Sequence, residues 1–518
     1  MNISRARKLR RLIGATVGLL VVANALAERV VTFPPSESKP PPPAKAPPRT
    51  QASGEDTGIL PDFGPSMRKT QDRVPPPPTL LTVMYKIEYG DTLKYVNPDG
   101  TVQKFKQWMS YQNDGYNLMT AVNQRLADGN NYQYATKPLS SSGFDPLDIP
   151  LLYMTGDYDF VFTEAEVEHL RRFLVGGGTI IFNAARGLDE YNAAVVREMQ
   201  KVFPKKAFMK MPLDHPVFNT RYRIAQVLAL VNGVQSLQPP ELFSMDIGTR
   251  AAAILIPSGM GAAWSGTKYH PDGKHIVGES AIRLGVNLCA YVLGGTEYGR
   301  FLAQEFPLYN GSTRPGDVMR FAIARYAGSW DVNPVLQNSL MQGVHDNTGI
   351  NVDYAPHVVD LDSADLMNYP LICLTGHYDF ELTPAETDNL RAFLTKGGMI
   401  FANAAAGLKP FDAAFRRELK KVFPDNDLIK LPPTHPIFSG GWNPVDHVQY
   451  TPPALRDDPT LDWPEFYGLF IDNRLAVIYT PFDVFSGVNR ESNAYAKGIV
   501  SDDALRLAIN VITYALSH

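Results

Sequence analysis

Three features of the sequence predict two tandem α/β domains, each a flavodoxin-like three-layer sandwich about a mostly parallel sheet. The stretch Leu151 to Phe218 returns, without a gap, as Leu371 to Phe438, so that Thr155 matches Thr375 and His215 matches His435. That block is far longer than the roughly 20–50-residue period of a solenoid, so it is a duplicated domain. Within each copy short apolar runs alternate with amphipathic ones. Such alternation requires right-handed βαβ crossovers, with helices on both faces of the sheet.

The 518 residues fit two to four domains at about 100–200 residues each, and the duplication narrows this to two. With 44% hydrophobic residues each half can bury a core, and a net charge of −4 offers no basic stripe for nucleic acid. The two cysteines, Cys289 and Cys373, stand in apolar runs. They read as buried thiols, which excludes a disulfide framework or a cysteine-based metal site. No metal or other cofactor is called for.

The first 27 residues read as a secretory signal. A basic segment, Arg5 to Arg11, precedes an apolar run, Leu12 to Ala27, ending in Ala25-Leu26-Ala27. The alternative is an uncleaved tether, although the run is shorter than the roughly 20 residues that span a bilayer. Either way the expectation is an exported protein, periplasmic or anchored facing the periplasm. Residues 28–79, with FPPSESKPPPPAKAPPRT and VPPPPT, read as a disordered proline-rich spacer, since proline removes donors and favours extended chain.

Repeat one, 80–298, opens with a strand at Leu81 to Tyr89, a helix at Leu118 to Ala127 and a strand at Tyr132 to Leu139. The third strand, Pro150 to Met154, runs into Thr155-Gly156. Thr163 and Glu166 form a capping box for a helix that carries Val167, Leu170 and Leu174 and stops at Gly176-Gly177-Gly178. Thr179 to Asn183 is a buried strand and Tyr191 to Phe203 a helix closed by Pro204. A strand pair turns about Gly248, and the helix Glu279 to Leu293 closes the repeat. Repeat two, 299–518, follows the same scheme, with strands at Arg320 to Tyr326, Leu371 to Leu374 and Met399 to Asn403. Its helices are Pro334 to Val344, one capped by Thr383-Pro384, and Asp502 to Leu516; a hairpin covers Tyr467 to Thr480.

In such sheets ligands lie beyond the carboxyl ends of the strands. Three loops of each copy are placed there. Thr155-Gly156-Asp157-Tyr158-Asp159-Phe160 matches Thr375-Gly376-His377-Tyr378-Asp379-Phe380. Asn183-Ala184-Ala185-Arg186-Gly187 matches Asn403-Ala404-Ala405-Ala406-Gly407, and Asp214-His215-Pro216 matches Thr434-His435-Pro436. The pattern of strand, TGHxxF, helix, Gly-Gly, strand, Asn, then a helix ending in Phe-Pro and a His-Pro loop, resembles the bacterial domain of unknown function 4159. The resemblance implies a glutamine amidotransferase-like fold in both halves and no established activity. Asp157 departs from the family's TGH, and Thr434 from the Asp-His-Pro form of the third loop.

Amidotransferases need a cysteine on the turn that corresponds to Asn183-Ala184-Ala185-Arg186-Gly187 or Asn403-Ala404-Ala405-Ala406-Gly407, and neither holds a cysteine, serine or threonine. Thiol chemistry is therefore not expected. His377, Asp379 and His435 are candidates for a hydrolytic or metal-assisted site in repeat two; Asp157, Asp159, Asn183, Arg186, His215 and Asn403 are candidate pocket residues. Against these stand plainer roles. A histidine before proline can anchor its loop, an aspartate can complement a helix start, and an asparagine can close a turn. Arg197-Glu198 and Arg417-Glu418 read as a solvated helix face. The reading that follows is a non-catalytic binding or scaffolding protein of the envelope, taking an envelope protein or a small carbohydrate-like ligand. The alternative is a hydrolase of carbohydrate or cell-wall fragments. Packing of the halves as a pseudo-dimer is also expected.

Overall fold

Leu151–Gly156 and Leu371–Gly376 are buried along their whole length, as strands covered on both faces must be. Alternate residues feed different cores. Leu152 and Met154 join one cluster with Phe173 and Met199, while Leu151 and Tyr153 face another built on Leu118, Leu284 and Leu288. The same two-sided packing recurs in repeat two. The computed structural model describes residues 29–31, 81–141, 143–302, 316–439, 443–491 and 493–517. The expected signal segment lies outside them, as does most of the expected spacer. Among the described residues no helix is long and apolar enough to cross a membrane.

The first strands are β1 (Arg29–Val31), β2 (Leu81–Glu88), β3 (Thr92–Val96), β4 (Val102–Lys106) and β5 (Asn131–Pro138). Next come β6 (Leu151–Gly156), β7 (Thr179–Ala184), β8 (Met209–Lys210), β9 (Val227–Val231) and β10 (Val234–Gln238). β11 (Phe243–Ile247), β12 (Arg250–Ile256) and β13 (Lys274–Ile276) complete repeat one. Repeat two holds β14 (Ala322–Arg325), β15 (Val358–Asp360), β16 (Leu371–Gly376), β17 (Met399–Ala404), β18 (Ile429–Lys430), β19 (Tyr467–Ile471) and β20 (Arg474–Thr480).

Each repeat forms a seven-stranded sheet, β5-β2-β6-β7-β12-β11-β8 and β15-β14-β16-β17-β20-β19-β18. In each, five strands are parallel and a hairpin strand runs antiparallel beside them. Two α/β domains with mostly parallel sheets are thus present, as the sequence predicts. The chain reverses direction across the sheet between β2 and β6, and between β14 and β16, which opens a crevice at those carboxyl ends.

Capping boxes at Thr163 with Glu166 and Thr383 with Glu386 start equivalent helices. The Thr-Gly pair ending β6 and β16 has a steric cause. Tyr89 and Tyr326 donate their hydroxyls to the carbonyls of Thr155 and Thr375, and a Cβ on Gly156 or Gly376 would lie about 2 Å from those hydroxyls. Only glycine fits.

Two small sheets depart from the expected scheme. β9 and β10 pair about an Asn232-Gly233 turn, both residues with positive φ, and β13 adds to β9. β3 and β4 form a hairpin after β2, and β1 pairs with β3 in parallel. Arg29–Val31, read as the start of the spacer, therefore belongs to a sheet of repeat one. The boundary read at 298/299 falls inside the helix Gly278–Leu302.

The halves do not pack as a pseudo-dimer. The N-terminal edge of the first sheet, at Asp246 and Thr249, meets the carboxyl-end loops of the second, at His377, Glu491 and Asn493. Different surfaces meet, so the contact is head-to-tail.

Candidate functional site

Repeat one fills its own crevice. The Asp157 carboxylate accepts from the Arg186 backbone N–H at 2.9 Å and from its Nε at 3.0 Å, and the guanidinium is only 5% exposed. Both partners come from loops at adjacent strand ends, β6 and β7. Above them the β3–β4 hairpin forms a roof, with Leu93 packed on Tyr158 and Gln107 accepting the Tyr158 N–H. Asn183 closes the loop after β12, donating to Ser258 and accepting from Met260.

Repeat two has no such hairpin after β14, and repeat one takes its place. His377 N–H is held by Ser329 of its own repeat, while its Nδ1 lies 2.8 Å from Oδ2 of Asp246. Tyr378 donates to the same oxygen at 2.8 Å and accepts from Ser244 at 2.6 Å. Asp246 is held below the usual carboxylate range against its burial, chiefly by the His377 hydrogen bond. An ionised carboxylate accepts, so Nδ1 of His377 carries the proton that faces Asp246. His215 adjoins this group. Burial lowers its pKa to about 4, with Asp246 opposing the shift and His377 adding to it.

Further contacts fasten the roof. Glu491 accepts from the Thr249 N–H and hydroxyl, Asn493 donates to Thr249, and Tyr495 stacks on Tyr291 at 5.0 Å. Lys206 pairs with Asp331 at 2.5 Å.

Beneath the roof lies Asp483, 1% exposed. It accepts from the Ala406 N–H at 2.6 Å, from the Ser486 N–H and hydroxyl, and from Nδ2 of Asn403 at 3.4 Å. Burial raises its pKa, and that of Glu491. Ala406 has φ 51°, a left-handed conformation at the position where repeat one carries Arg186. Repeat one has Gly259 at the place of Asp483, where a Cβ would lie 2.1 Å from the Ala185 carbonyl oxygen; there His275 stands opposite, and in repeat two Gly498 stands opposite Asp483.

The remaining candidate residues have local partners. Asp159 pairs with Arg197 at 2.7 Å and Asp379 with Arg417 at 2.9 Å. Glu198 and Glu418 are buried and accept the N–H groups of Phe162 and Leu382, so they staple the first loop, while Arg197 and Arg417 face solvent as expected. His215 and His435 accept the N–H groups of Val217 and Ile437, two residues on. The His435 ring lies against Tyr514 and Phe470. His377, Asp379 and His435 are thus not brought together, and His377 meets Asp246 and His215 of the other repeat instead. Among the described residues no group of three or more His, Cys, Asp and Glu side chains is arranged to hold a metal.

The family model described as Domain of unknown function (DUF4159) matches residues 94–293 and 320–516, one match per repeat. The chain belongs to this family. No curated protein matches the chain in sequence. A solved protein described as thua-like, from Bacteroides uniformis ATCC 8492, is 10% identical with a TM-score of 0.22, covering 43% of this chain and 95% of its own. Another, described as sugar binding, from Salmonella typhimurium LT2, is 7% identical with a TM-score of 0.17, covering 63% and 78%.

The residues that build the shared site in this DUF4159 chain, Asp246, Ser244, Asp483 and Glu491, were not among the sequence candidates. Their signal lies in differences between the copies. Asp246 pairs with Ala251 in its hairpin where Phe470 pairs with Leu475 in repeat two, and Asp483 replaces Gly259. A polar residue opposite an apolar one or a glycine in its duplicate has a task its copy lacks.

Proposed function

We propose that this DUF4159 protein is a non-catalytic binding or scaffolding protein of the cell envelope, with two degenerate amidotransferase-like domains. The observation that carries this reading is the commitment of His377. Its protonated nitrogen is spent on Asp246 of the other repeat, so the most chemistry-capable side chain of the crevice serves the joint between domains. Two further facts support it. Arg186 and Ala406 stand on the turns where an amidotransferase needs its nucleophile, and repeat one's crevice is occupied by its own guanidinium. Export rests on the basic-then-apolar start and the proline-rich spacer; kinship with amidotransferases rests on the motif order.

The test is turnover by the full chain on glutamine, on glycosides and on peptidoglycan fragments, beside His377→Ala. The expected result is no turnover by either protein, together with a lowered melting temperature for the variant. Turnover by the native chain that disappears in His377→Ala would establish the hydrolase reading in place of this one.

A further inference from the structure

The crevice of repeat two is polar, enclosed and incompletely satisfied. Thr375 Oγ1, His377 Nε2, Asn333 Oδ1, Asn403 Oδ1 and both amide atoms of Asn489 are buried without a hydrogen-bond partner among the described residues. Buried polar atoms are rarely left so, and a cluster of them marks a place where something else binds. Their position is fixed by their other atoms. Asn403 gives its Nδ2 to Asp483, and Asn333 gives its Nδ2 to Ser486, whose hydroxyl in turn donates to Asp483. The carboxylate has drawn surrounding donors to itself, and what is left over includes the acceptor oxygens of Asn333, Asn403 and Asn489.

The side chains concerned are themselves enclosed: Asn403 is 0%, His377 2% and Asn333 5% exposed. Asp483 and Ser486 also line a cleft of ≈ 150 Å³ with Glu491, Arg490, Asn493 and Tyr298. Arg490 is not the missing counter-charge, since its side chain is 42% exposed and lies 4.0 Å from Asp502. A buried carboxylate is ordinarily paired with a cation. Repeat one shows such pairing, with the Arg186 guanidinium on Asp157. Repeat two has Ala406 in place of that arginine, which removes the cation.

We infer that the crevice of repeat two binds a guanidinium or primary ammonium group of a small molecule, seated on Asp483 among Asn333, Asn403 and His377. Arg186 is the internal counterpart of that ligand in repeat one. The inference rests on the binding reading above and names its ligand class. A flat or tetrahedral cationic head with several N–H donors satisfies the free acceptors and offsets the charge of the carboxylate, which a neutral polyol or an anion does not.

Calorimetric titration and thermal melting of the full chain test this, with methylguanidinium and methylammonium as probes. N-methylurea serves as the neutral isostere and tetramethylammonium as the cation without donors. One methylguanidinium or methylammonium per chain is expected, with a rise of about 5–11 °C in the melting of repeat two at a hundredfold excess over the dissociation constant. Asp483→Asn should weaken binding at least about tenfold, the effect expected of removing a charged hydrogen-bond partner. Asn403→Ala, which keeps the carboxylate, should weaken it less. Arg186→Ala should be destabilised and then rescued by methylguanidinium, binding two per chain. No binding to the native chain, equal binding by N-methylurea, or undiminished binding by a folded Asp483→Asn would each overturn the inference. These readouts do not involve turnover, so an active enzyme would refute the non-catalytic reading while leaving the cation site to its own result.

Discussion

His215 shows how a single side chain can tie the stability of the protein to pH. It is buried, caps a short helical turn through Nδ1, and faces both Asp246 and His377. In the unfolded chain a histidine takes its proton near pH 6.5; in the fold burial delays this to about 4. Between those values the unfolded chain holds a proton that the folded chain refuses, so stability is complete above about pH 6.5 and declines as the pH falls towards 4. The slope is at most about 1.4 kcal/mol per pH unit. His215→Asn can keep the backbone acceptor without the titration, so urea melts from pH 7 to 4.5 should lose less stability in the variant, by roughly 2 kcal/mol. His275 is lowered by burial too, but it is present in both proteins and cancels in the difference. Parallel curves for the two proteins would remove His215 as the source.

At the scale of elements the duplication provides its own controls. In repeat one Lys86 of β2 donates to Asp114 at 2.6 Å, at the start of the helix Asp114–Leu126, and Tyr153 of β6 joins the pair. All three are buried, and burial lowers the Lys86 pKa against the pull of Asp114. In repeat two the corresponding places hold Ile323, Leu336 and Cys373, an apolar solution to the same strand–helix contact. Asp114→Leu alone should therefore cost about 3–5 kcal/mol, because it strands a buried ammonium. Lys86→Ile with Asp114→Leu should return most of that loss, within about 1–2 kcal/mol of the native chain. Chemical denaturation checks both, and an additive double variant would show that the ion pair is not the reason.

The same comparison explains how far the sequence reaches. Capping boxes, the Thr-Gly strand ends and the His-Pro turns are local devices, and their residues announce them. The β3–β4 hairpin is legible too, since Asn97-Pro98-Asp99-Gly100 between two alternating runs is a turn signal. The burial of Glu198 and Glu418 beside their exposed arginines is not legible, because helical periodicity says nothing about which loop lies across a face. Asp246 gave no local sign at all. Its partners, His377 and Tyr378, are more than 130 residues away and belong to the other domain.

For the whole molecule, the head-to-tail contact makes the repeats unequal despite their common fold. Repeat one brings its own roof, while repeat two relies on Ser244, Asp246 and Thr249 of its neighbour to close its crevice. Yet the two cores of repeat two draw only on its own residues, so each can be buried without the neighbour. A fragment of residues 316–518 is therefore expected to fold alone but melt below its transition in the intact chain, having lost the roof. Asp246→Ala should have a related effect within the full chain, since it removes the acceptor of two hydrogen bonds, each worth about 1.5–3 kcal/mol when one partner is charged. Scanning calorimetry should then resolve the native transition into two, with only the one assigned to repeat two moving downward. If the fragment aggregates, or if Asp246→Ala lowers both transitions together, the repeats form a single cooperative unit and the joint is part of the core.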